Sequence, residues 1–80
     1  MTNATTEQTT EQTTYTFAGE TFSLADIIGA CRRTIAHKAS MAEYCARKGD
    51  VAMARSYRAD AAKFRAQLVE LEARQATEAL

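Results

Sequence analysis

From Ser23 to Ala76 the sequence keeps a helical period and breaks it once, at Gly49-Asp50. The 80 residues contain no Pro and only three Gly, so little else stops a helix. Arg47 and Lys48 are cations suited to a helix C-terminus, and Gly49 follows them where a left-handed cap is needed. Asp50 is a good N-cap for the next helix. Upstream, Ser23-Leu24-Ala25-Asp26 has the form of a capping box. The pattern predicts helix 1 over about 24–48 and helix 2 over about 51–76, each about 38 Å long. So short a connection leaves an antiparallel αα-hairpin.

Two stripes on helix 2 constrain the assembly. Met53, Tyr57, Phe64, Leu68 and Leu71, with Ala61 between them, make one apolar face. It matches a stripe on helix 1: Leu24, Ile28, Cys31, Ile35, Ala42 and Cys45. Lys38 interrupts that stripe, and its stem can cover apolar surface while the charge reaches water. A second helix 2 stripe, Ala52, Arg55, Ala59, Ala62, Ala66, Val69, Ala73 and Ala76, lies roughly opposite the first. A monomeric hairpin needs one apolar face per helix, and this helix has two. Ala52, Ala59, Ala62, Ala66, Val69 and Ala73 are therefore read as an interface with another copy. The alternative is Ala chosen for helix propensity on a solvated face. The expected fold class is all-α: a two-helix hairpin with a short N-terminal arm, assembling as a helical homo-oligomer. An Ala seam leaves the subunit number open.

The N-terminal third reads differently. Residues 1–14 hold a duplicated Thr-Thr-Glu-Gln with no apolar period, the composition of a disordered tail. They have neither the basic start nor the apolar run of a secretory signal. No stretch approaches the length of a membrane span, so a cytoplasmic protein with no membrane partner is expected. In 15–22 aromatic and polar residues alternate around Ala18-Gly19, which predicts a β-hairpin or an extended arm lying on the helices.

Candidate chemistry is sparse. Cys31 and Cys45 stand about 21 Å apart along one helix, too far for a bridge. His37 points about 120° from Cys31, so they form no nucleophile–base pair, and no Cys/His group has metal spacing. A two-helix hairpin also lacks a concave pocket of its own. No catalysis, no metal and no cofactor are expected.

Charge is zero overall but uneven: between Arg32 and Arg65 nine cations face three acids. Arg33, His37, Met41, Tyr44 and Lys48 align on one side of helix 1. Arg33, His37, Tyr44 and Lys48 could hold a phosphate by charge-assisted hydrogen bonds and a base by stacking, joined by Arg55, Arg58 and Arg65 from a neighbouring subunit. Alternatively the cations are solvated while Met41 and Tyr44 pack under the N-terminal aromatics.

Tyr44-Cys45-Ala46-Arg47-Lys48-Gly49-Asp50 followed by Ala54, Tyr57 and Ala61 resembles the inter-helix region of tetratricopeptide hairpins. One unit without a repeat assigns no family. In its compactness, lack of catalytic groups and polar tail, the chain resembles the small accessory proteins of phages and plasmids. That resemblance implies a non-enzymatic oligomer that binds, and inhibits or adapts, a host protein. The second expectation is sequestration of a small anionic nucleotide between subunits. Nucleic-acid binding is less favoured, because zero net charge and nearby acids oppose it.

Overall fold

The structure is a computed structural model that describes residues 14–79. Its elements in order are strand β1 (Thr14–Phe17), strand β2 (Glu20–Ser23), helix α1 (Leu24–Arg47) and helix α2 (Val51–Glu78). The chain is thus mostly helical, with a two-stranded antiparallel sheet at its N-terminal end. The tail expected at 1–14 lies outside the described residues except for Thr14, which belongs to β1.

Each boundary has a local cause. Ser23 caps α1 by accepting from the Asp26 amide at 3.1 Å, and the Asp26 carboxylate accepts from the Ser23 amide at 3.1 Å. This is the reciprocal box predicted from four residues. At the other end the Gly49 amide donates to Ala46 O at 3.1 Å and the Asp50 amide to Cys45 O at 2.8 Å. Gly49 has φ of 84°, so the pair forms a Schellman cap with glycine in the left-handed position. Asp50 then accepts from the Met53 amide at 3.1 Å and starts α2. α2 runs two residues past its expected end, since neither Gly nor Pro follows Ala76 to stop it.

The arm is a true β-hairpin. Tyr15 pairs with Phe22 and Phe17 with Glu20, which puts the three aromatics on one face and Thr16 and Thr21 on the other. The Phe17 and Phe22 rings lie 6.1 Å apart, tilted by 46°. Both turn residues have positive φ, 51° at Ala18 and 82° at Gly19, as a two-residue hairpin loop of the primed kind requires. Ala18 is the strained one, because a Cβ disfavours that region by about 1–2 kcal/mol. Ala18→Asn should therefore stabilise the arm. The expected sign is slower amide exchange of β1 and β2 with unchanged exchange in mid-α1.

The two helices meet along a narrow seam. α1 buries Leu24, Ile28, Cys31, Ala42 and Cys45, and α2 buries Ala54 and Ala61. Ile35, Lys38, Tyr57, Phe64, Leu68 and Leu71 flank this line, half-buried. One expectation needs correction. Met53 is exposed, and Ala54 takes its place in the seam. Near the tight turn the contact is made by Ala42, Cys45, Ala54 and Ala61, and the longer Met53 side chain has been turned outward. Polar links reinforce the seam. The Cys31 thiol donates to Phe64 O at 3.3 Å, and Lys38 Nζ lies 3.4 Å from Asp60 and 5.4 Å from the Tyr57 ring centre. Arg32 pairs with Glu72 nearer the arm. The arm itself is held at the far end of α2, where Arg74 donates to the Tyr15 hydroxyl at 2.6 Å.

The result is long and thin: 61 × 27 × 12 Å, with a radius of gyration of 17.3 Å. A compact domain of this length would have a radius near 11 Å. Among the described residues Leu24 and Ile28 are the only large aliphatic side chains that are buried.

Candidate functional site

The antiparallel packing decides which candidate residues can meet. Arg33, His37 and Tyr44 are exposed on α1 and Lys48 at its C-cap, as their spacing requires. Lys48 Nζ lies 5.6 Å from the Tyr44 ring centre, a cation–π contact on a half-exposed ring. Arg58 and Arg65 stand elsewhere. They line a shallow recess of about 350 Å³ with Ala39, Ala42, Glu43 and Ala61. By the helical period Ala39 and Glu43 are on the opposite side of the seam from His37, Tyr44 and Lys48. One chain therefore does not bring the two sets of cations together. Arg55 is exposed on the outer side of α2, among the alanines.

Arg33, one turn from His37, also reaches the arm. It lines a groove of about 670 Å³ with Phe17, Phe22, Ala25, Ile27 and Gly29. Its Nη1 lies 3.5 Å from the point a Cβ on Gly29 would occupy, an ordinary van der Waals distance. This groove corrects two expectations. A bare two-helix hairpin has no concavity, but here the β-arm supplies the second wall. And the arm's aromatics sit on the first turns of α1, while Met41 and Tyr44 lie farther along it.

The electrostatic layout runs along the rod. At the turn end and middle, Lys38, Arg47, Lys48, Arg55, Arg58, Lys63 and Arg65 outnumber Glu43, Asp50 and Asp60. Towards the arm end, Glu20, Asp26, Glu70, Glu72 and Glu78 outnumber Arg32, Arg33 and Arg74. Of the cations in the first group, Arg47 has an i,i+4 contact with Glu43 at 3.9 Å and Lys38 reaches Asp60.

Both cysteines are free and buried. Among the described residues no three His, Cys, Asp or Glu side chains converge on a metal-sized site, and no helix is long and apolar enough to cross a membrane.

No known protein family, curated protein or solved structure matches this chain.

Proposed function

We propose that the chain is a non-enzymatic interaction protein: a helical hairpin that associates with copies of itself through α2 and presents its remaining surface to another macromolecule. The observation that carries this is the outer face of α2. Ala52, Ala59, Ala62, Ala66, Val69 and Ala73 are all exposed, with Val69 at 67%. Helix propensity alone accounts for alanines on a solvated face, but a β-branched Val is a poor choice there. The seam on the other side of α2 encloses so little that a second contact would add a large fraction of the total burial.

Its role, in this reading, is to bind a host protein and inhibit or adapt it, as small accessory proteins of phages and plasmids do. The charged, elongated surface supports a partner contacted over a wide area, since a 61 Å rod offers length and little depth. Multi-angle light scattering on the full chain at micromolar concentration is the first test. The expected mass is at least twice 8.8 kDa. A monomer with sharp, cooperative unfolding would overturn self-association.

A further inference from the structure

We propose that α2 pairs with the α2 of a second copy in antiparallel sense, about a two-fold axis at the level of Phe64. This rests on the self-association proposed above and specifies its geometry. Along the outer face, Ala52, Arg55, Ala59, Ala62, Ala66 and Val69 recur at alternating intervals of three and four, continued by Ala73 and Ala76. That alternation is the a/d pattern of a heptad seam, and every one of these positions is exposed. Small side chains let the helix axes approach at or below the usual 8–10 Å.

Charge decides the direction. On α2 the residues up to Arg65 carry Arg55, Arg58, Lys63 and Arg65 against Asp60, and the residues beyond it carry Glu70, Glu72 and Glu78 against Arg74. Among the described residues Arg55, Arg58, Lys63, Arg65 and Glu70 have no ionic partner in their own chain. A parallel pair would bury Arg55 against Arg55 in the seam. It would also set Arg58 beside Lys63 twice, offset by Arg65 beside Glu70 twice.

An antiparallel pair sets each a position against a d position. The register that uses the whole face puts Ala62 opposite Ala66 of the second copy, and Ala59 opposite Val69 of the second copy. Arg55 then faces Ala73 of the second copy, one turn from its Glu70, and Arg58 comes beside its Glu72, a carboxylate that also holds Arg32 of its own chain. Two-fold symmetry makes each of these favourable contacts twice, while Lys63 and Arg65 each meet their own counterpart once, at the solvated rim. Antiparallel helix dipoles favour the same direction.

Disulfide trapping in the full-length protein tests this. Ala59→Cys and Val69→Cys are made separately, with the wild type, whose Cys31 and Cys45 are buried, as the blank. In the antiparallel pair the two residues 59 stand about 15 Å apart along the axis, beyond disulfide reach. Each variant alone should stay uncrosslinked. Their equimolar mixture should give a covalent dimer whose joined peptides contain positions 59 and 69. Crosslinking of each variant with itself would mean parallel pairing and would overturn the proposal. An oligomer by light scattering that crosslinks in neither case would place the interface on another face, overturning this geometry while leaving self-association standing. A monomer would remove both. As a second readout, Arg55→Glu should weaken association about tenfold with unchanged helicity by circular dichroism, and adding Glu70→Arg, at a carboxylate with no ionic partner in its own chain, should recover most of the loss. Equal association constants for the single and double variants would show that charge does not set the direction.

Discussion

Replacing Ala62 and Ala66 together by Glu is expected to leave the protein monomeric at micromolar concentration and to lower its melting temperature by several degrees. The reason is burial. In a paired α2 these residues lie at the centre of the seam, and carboxylates there lose water with no partner to replace it. Even 1 kcal/mol corresponds to about 4–8 °C in a domain of this size. On a solvated face the same change would be nearly silent, within about 0.5 kcal/mol, because Glu is itself a good helix former. The measurement is a melting curve followed by circular dichroism at several protein concentrations. The wild-type midpoint should rise with concentration, and that of the double variant should not. A wild-type midpoint independent of concentration would mean that the outer face of α2 is free.

Ile28→Ala should be the most damaging single truncation in the chain. Ile28 is 2% exposed and is the most enclosed large side chain in the seam. Removing it costs about 2–5 kcal/mol, through lost transfer energy and the cavity left behind. With Leu24 as the only other large residue buried among the described ones, little remains to absorb the loss. Urea unfolding at fixed protein concentration should show a much lower midpoint, and Ile28→Val should cost only about 0.5–1.5 kcal/mol. A loss below 1 kcal/mol for the Ala variant would show that the seam near the arm contributes little to stability.

The fold was legible where chemistry is local. Ser23 with Asp26, and Gly49 with Asp50, act on their own backbone neighbours, so four residues suffice to mark where one helix begins and the next replaces it. The α1 stripe was legible because its burial follows the period. Ala54 was not legible, because choosing between it and Met53 depends on how closely the helices approach beside the turn, a tertiary distance. The candidate cations were found as exposed residues, and within one chain they divide between two sides of the hairpin. Arg33 and Arg58 share a charge and a helical environment, yet one faces the aromatic arm and the other the recess on the opposite side of the seam. Sequence spacing fixes the side of its own helix only, and the relation between two helices enters with the packing. The groove between arm and α1 was hidden for the same reason, since it lies between Phe17 and Phe22 of the arm and Ala25, Gly29 and Arg33 of α1.

The two thiols have a consequence for how opening of the hairpin can be followed in time. Cys31 lies in the half of the seam near the arm, bonded to Phe64 O, and Cys45 lies in the half next to the Gly49 cap. Both are shielded only while α2 is in place, so an alkylating reagent reaches each one when its own half separates. Their labelling rates form a pair of clocks on one helix. Equal rates would describe a hairpin that opens as a unit. A faster Cys31 would describe a zipper that frays from the arm towards the turn, where the short connection keeps the helices together longest.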